Sequence, residues 1–186
     1  MLRIGPLALE AWHLLVALVV LIFLGWVIRG FLVRIQGTWE RVDEDAPEGD
    51  REVVYFAQIG PFVRGRRLIG GGFQEYTGIM RGRTMFMTRR DHGAAMIEGQ
   101  GFPPEIVPEI DGTVTARLRL TLSADGRALF GTFVPQKIEF TRRPPKVTSR
   151  QYLEPRFRRY RLVSRALEDA PASTSPKGSR RLRQTV

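Results

Sequence analysis

The chain contains no cysteine, which excludes disulfides, thiolate metal sites and a thiol nucleophile. Histidine is nearly as scarce, with His13 and His92 as the two examples, whereas a metal centre needs three or four converging ligands. No serine stands in a nucleophile-elbow context. Gly70-Gly71-Gly72 lacks the Lys-Ser/Thr that follows a phosphate-binding loop and reads as a turn between strands. Arg90-Asp91-His92-Gly93 sets a carboxylate beside a histidine, the pair that acid–base chemistry uses, but neighbours on a strand point to opposite faces. The reading is therefore no enzyme: no catalytic residues, no metal and no cofactor, with an enzyme built on Asp91 and His92 as a rival.

Lysine is rare too, supplying three of the 29 basic residues, Lys137, Lys146 and Lys177. The net charge of +10 is unevenly spread. Residues 1–34 carry three arginines and one glutamate, residues 35–143 carry fifteen basic and fifteen acidic side chains, and residues 144–186 carry eleven basic and three acidic ones. A neutral middle is a poor nucleic-acid surface, since phosphate binding needs clustered Lys and Arg.

What the sequence has in abundance is one apolar run. Residues 11–28, AWHLLVALVVLIFLGWVI, hold no formal charge apart from His13. Roughly 20 apolar residues cross a bilayer core as a helix, and Trp12 and Trp26 stand near the ends, where indole rings favour the headgroup zone. The expectation is a single uncleaved transmembrane anchor in contact with membrane lipid, because no Ala-x-Ala cleavage site follows it. Arg29, Arg34 and Arg41 follow the run and Arg3 precedes it, so the positive-inside rule favours a cytoplasmic over a periplasmic main domain, on a bacterial inner membrane.

After residue 35 the hydrophobic period changes to that of strands. Short runs rich in Val, Ile, Phe, Tyr and Thr recur at 53–56, 62–69, 73–80 and 83–90. The clearest is 113–122, where Val114, Ala116, Leu118, Leu120 and Leu122 face one way and Thr113, Thr115, Arg117, Arg119 and Thr121 the other. Ala124-Asp125-Gly126 makes a hairpin turn into 127–134; Pro135 interrupts, and 136–143 forms a last strand. About eight antiparallel strands result, a small barrel or barrel-like domain filled in part by Met80, Met85, Met87 and Met96. The irregular segment between Asp91 and Asp111 is read either as a lid or binding loop, or as a cap placing Ile106 and Ile110 over one barrel end.

Past Pro144-Pro145 a basic tail is expected. Glu154-Pro155 opens a short helix with Phe157, Tyr160, Val163 and Leu167 near one face and Arg156, Arg158, Arg159, Arg161 and Arg165 around the others. Residues 169–186 are small, polar and charged, the composition of a disordered segment. The organisation is thus 1–34 leader and anchor, 35–143 β-barrel-like domain, and 144–186 basic tail.

Gly37-Thr38-Trp39-Glu40 resembles the Gly-x-Trp that opens the first strand of lipocalins and related calycin barrels. The resemblance spans at most residues 37–143. It implies that Trp39 closes one barrel end and that a late arginine, here Arg142, packs across it as a cation–π pair. Trp39 and Arg142 are then the ligand-side candidates. Two functions follow as expectations. One is a non-enzymatic binding or scaffold protein at the inner membrane, with Arg156, Phe157, Arg158, Arg159, Tyr160 and Arg161 contacting anionic lipid or an acidic protein, and nucleic acid as a lesser partner. The other is a periplasmic lipocalin-like carrier of a lipid or other hydrophobic small molecule.

Overall fold

The computed structural model describes residues 6–43 and 52–166, and within the first helix the side chains of residues 12–25, 27 and 28. The tail beyond residue 166, including the segment expected to be disordered, lies outside the described residues.

Helix α1 runs Pro6–Leu32. Pro6 suits its first turn, where the missing N–H has no intrahelical acceptor to lose. The described side chains from Trp12 to Leu24 are exposed. They are apolar on every side of the helix, so there is no stripe by which α1 would pack on a globular core. The expected transmembrane helix is corrected here. Among the described residues no helix is long and apolar enough to cross a membrane.

Beyond α1 the chain forms an antiparallel β-barrel. Its strands are β1 (Gly37–Arg41), β2 (Val53–Ile59), β3 (Phe62–Ile69), β4 (Gly72–Arg81), β5 (Thr84–His92), β6 (Val114–Leu122), β7 (Ala128–Arg142), β8 (Pro145–Tyr152) and β9 (Arg156–Ser164). Strands β1 to β7 pair antiparallel in chain order, and β9 inserts between β7 and β1 to close an eight-stranded ring. Leu162 pairs with Trp39, and Arg161 with Ala128. Strand β8 lies outside the ring. It pairs only with the second half of β7, from Gln136↔Tyr152 to Arg142↔Pro145, as a ribbon leaving the barrel. Pro135 is where β7 changes partners: Pro135↔Ala116 ends its pairing with β6.

The expected C-terminal helix is therefore a strand. In β9 Tyr160 is buried and Arg158, Leu162 and Ser164 are half-buried, while Phe157, Arg159, Arg161 and Val163 are exposed. That is a period of two. Without β9, β1 and β7 would present open ladders, whereas in the ring those backbone groups are paired.

Trp39, Phe56, Tyr76, Met80, Met85, Leu120 and Leu129 fill the barrel interior, each 2 % exposed or less. Gly65 belongs to this packing: a Cβ there would lie 2.5 Å from the Phe56 ring, so the absent side chain is the space the ring occupies. The segment after β5 is a cap. Helices α2 (Ala94–Gly99) and α3 (Val107–Ile110) bury Met96, Ile97, Ile106, Val107 and Ile110 in a second core, against Ile138, Phe140 and Val147 of the ribbon. Met96 thus fills the cap, while Met80, Met85 and Met87 fill the barrel.

Candidate functional site

The two ends of the barrel differ in chemistry. At the cap end the interior carries a lattice of buried charges. Arg41 grips Asp43 through two parallel bonds, Nε to Oδ1 and Nη2 to Oδ2, both 2.6 Å, and its Nη1 donates to Glu52 Oε2 at 3.4 Å. Arg158 Nη1 reaches the same Asp43 at 3.1 Å, and the Tyr160 hydroxyl donates to Glu52 Oε1 at 3.1 Å. Tyr76 donates to Gln74 Oε1 at 3.3 Å, and Arg89 pairs with Asp91 at 3.1 Å. The guanidinium groups of Arg89 and Arg158 both lie against the Phe133 ring, 5.3 and 4.8 Å from its centroid. Burial pushes the phenols of Tyr76 and Tyr160 well above their ordinary pKa, and the Glu52 carboxylate pushes in the same direction. This lattice joins β1, β4, β5 and β9 through paired charges, with Asp91 Oδ1 buried and without a hydrogen bond of its own. Its chemistry is that of a structural brace, since removing one partner of a buried pair leaves the other charge uncompensated.

Asp91 and His92 do not meet. Asp91 turns inward to Arg89, while the His92 ring stacks on Phe73 at 4.7 Å and lies near Glu75 and Asp111. No group of three or more potential metal ligands occurs among the described residues.

The opposite end, where α1 enters the barrel, is open and basic. The β2–β3 hairpin, the β4–β5 and β6–β7 turns, the end of β9 and the linker from α1 into β1 all meet there. Arg34, Arg81, Arg83, Arg127 and Arg165 are exposed on it. Ile59 and Phe62, 78 % and 59 % exposed, form the tip of the β2–β3 hairpin. Gln58 ties that hairpin to the foot of α1: its Nε2 donates to Val33 O at 2.7 Å, and its Oε1 accepts from Ile35 N at 2.8 Å. Arg165 bonds Arg34 O and Gly126 O at 3.0 and 2.9 Å, and Arg83 Nε donates to Leu122 O at 3.0 Å. Two grooves flank the linker. One, of about 410 Å³, is lined by Arg34, Gln36, Gln58, Gly60 and Arg165. The other, of about 390 Å³, has Arg34, Arg83, Asp125 and Arg165 on its walls.

The expected site residues fall apart in space. Trp39 is fully buried in the ring, its Nε1 donating to Ile35 O at 2.7 Å. Arg142 is exposed at the far tip of the ribbon, paired with Pro145. Trp39 pairs with Leu162, which bonds the chain at Arg127, so Arg142 lies fifteen residues further along the chain, on the order of 45 Å of extended strand. The expected Trp39–Arg142 cation–π pair does not form. At the start of β1 the chain packs on Arg165 instead, whose Cα would be 3.2 Å from a Cβ on Gly37. Of the residues expected to contact a membrane or partner, Phe157, Arg159 and Arg161 face outward on β9 with Arg156 at its start, while Arg158 and Tyr160 face the buried lattice.

Sequence reasoning weighed Arg41 only as a charge flanking the apolar run, and did not find its buried pairing, Glu52 or the basic end. Parity held a signal for the first: Arg41 lies two residues from Trp39 on one strand and therefore points the same way. The arginines of the basic end come from four turns and linkers, and only the barrel's closure gathers them. Comparison with family models, with curated proteins and with solved structures found no match to this chain.

Proposed function

We propose that this chain is a non-enzymatic binding protein that works at a membrane surface. Its barrel is a rigid platform rather than a container or a catalyst. The observation that carries the reading is the run of exposed apolar side chains on α1, Trp12 to Leu24, rooted beside the exposed Ile59 and Phe62 of the barrel. Such an area is far larger than the scattered apolar residues of an ordinary surface and marks a lipid or partner contact.

A carrier reading has less support, because Trp39, Phe56, Tyr76, Met80 and Met85 occupy the space a hydrophobic ligand would need. On the platform reading α1 rests against lipid as a peripheral apolar contact. The outward stripe of β9, Phe157 and Arg159 beside the Arg161–Glu40 ion pair, takes an acidic protein partner or further anionic lipid. The cytoplasmic face of an inner membrane suits this arrangement, since anionic lipid there attracts arginine.

Vesicle flotation of the full chain tests the proposal. The unaltered protein is expected to float with phospholipid vesicles, and L15E/L18E/I22E to remain with the soluble fraction. A full chain that never floats, whatever the lipid, would overturn it.

A further inference from the structure

The geometry points to the α1 end of the barrel as a docking surface for an anionic phospholipid bilayer, with headgroup phosphates seated in the two grooves that Arg34 and Arg165 share. This rests on the membrane-surface reading above and adds to it the surface and the lipid class.

Three observations converge. The first is charge. Arg34, Arg81, Arg83, Arg127 and Arg165 are exposed on this end, and Asp125 is the one acidic residue in its turns and linkers among the described residues. Asp125 is engaged by its own turn, accepting from Ser123 Oγ at 2.5 Å and Arg127 N at 3.0 Å. At the cap end, by contrast, arginines are matched by Asp43, Glu52 and Asp91. The second is preorganisation. Arg83 and Arg165 are held by backbone carbonyls, which fix their guanidinium groups without cancelling their charge. A guanidinium has donors to spare for phosphate oxygens. The third is continuity. The grooves, of about 410 and 390 Å³, lie at the foot of the apolar helix and beside the exposed Ile59 and Phe62. Apolar groups for the acyl boundary and arginines for the headgroup layer thus face the same way, the arrangement of an interfacial lipid-binding surface.

The test uses the full chain with vesicles of phosphatidylcholine alone or with added phosphatidylglycerol. R34Q/R81Q/R127Q removes three charges and leaves the carbonyl-bonded Arg83 and Arg165 in place. The unaltered protein is expected to prefer anionic vesicles, less so as salt is raised. The triple variant should lose on the order of a hundredfold of that binding, about fivefold per arginine, while keeping its binding to neutral vesicles. R34K/R81K/R127K should restore most of the preference and guards against a folding defect. Equal binding to both vesicle types would overturn the docking surface and leave the membrane reading standing. Binding to neither would overturn both. Full anionic preference in the glutamine variant would move the site elsewhere. Displacement by millimolar inorganic phosphate, or tighter binding to RNA than to vesicles, would replace the bilayer as the ligand.

Discussion

The guanidinium of Arg165 donates to the backbone carbonyl of Arg34 at 3.0 Å. The residue after the last strand thereby holds the linker by which α1 enters the first strand, and its second donor, to Gly126 O at 2.9 Å, holds the β6–β7 turn as well. Three chain segments that are remote in sequence meet at one side chain. Arg165→Ala should lower stability by about 1 kcal/mol, the scale of a lost hydrogen-bonding group on a surface. Arg165→Lys should recover only part of it, since an ammonium lacks the fork that spans two carbonyls. Urea unfolding of the three proteins measures this.

The Arg41–Asp43 pair predicts a larger effect. Both side chains are 6 % exposed, and Asp43 also receives Arg158. Asp43→Asn leaves two guanidinium groups short of a carboxylate inside the barrel end, at a cost of about 3–5 kcal/mol. Denaturant unfolding of this variant beside Asp125→Asn, an exposed carboxylate, gives the contrast: a large loss for the first and a small one for the second.

Tyr76 and Tyr160 predict alkaline sensitivity. Their folded pKa values stand above the ordinary 10.0. Below pH 10 both the folded and the unfolded phenols keep their protons, so these two residues leave stability level. Above pH 10 the unfolded chain releases protons that the folded barrel retains. Stability then falls as pH rises, by up to about 1.4 kcal/mol per pH unit for each tyrosine. Unfolding midpoints measured from pH 8 to 12 should be level and then decline, and Y76F/Y160F should flatten the decline.

Gly65 and Phe56 predict a coupled pair. The Phe56 ring stands 2.5 Å from where a Cβ on Gly65 would be. Gly65→Ala should cost about 1–3 kcal/mol by overpacking. Added to Phe56→Leu it should cost less than it does alone, because the smaller side chain vacates that space. A double-mutant cycle by chemical denaturation reads the coupling.

Much of the barrel is legible in the chain. The alternation from Val114 to Leu122 describes β6, where Ala116, Leu118, Leu120 and Leu122 are buried, and the hairpin turns place β2 to β5. What the chain conceals is set by distant partners. β9 reads as a helix because Phe157, Tyr160 and Val163 fall at helical spacing. The stretch also alternates, with Arg158, Tyr160, Leu162 and Ser164 on one face, and β1, about 120 residues away, supplies the ladder that decides the matter. Arg41, Asp43 and Glu52 resemble surface charges until closure buries them together. Arg142 does not reach Trp39, because β7 leaves the ring at Pro135 and carries Arg142 away along the ribbon. The apolar run at residues 11–28 was legible as a helix. As a membrane span it is overturned: no helix among the described residues is long and apolar enough to cross a membrane.

Because the chain has no cysteine, a single one can report which end faces lipid. Ile59→Cys marks the basic end and Gln151→Cys marks the ribbon, both at exposed positions. Each labelled full-length protein, carrying an environment-sensitive fluorophore, is mixed with phosphatidylglycerol-containing vesicles. A blue shift and a rise in emission are expected at Ile59→Cys, with Gln151→Cys unchanged. A response at Gln151→Cys with none at Ile59→Cys would contradict a lipid-facing basic end.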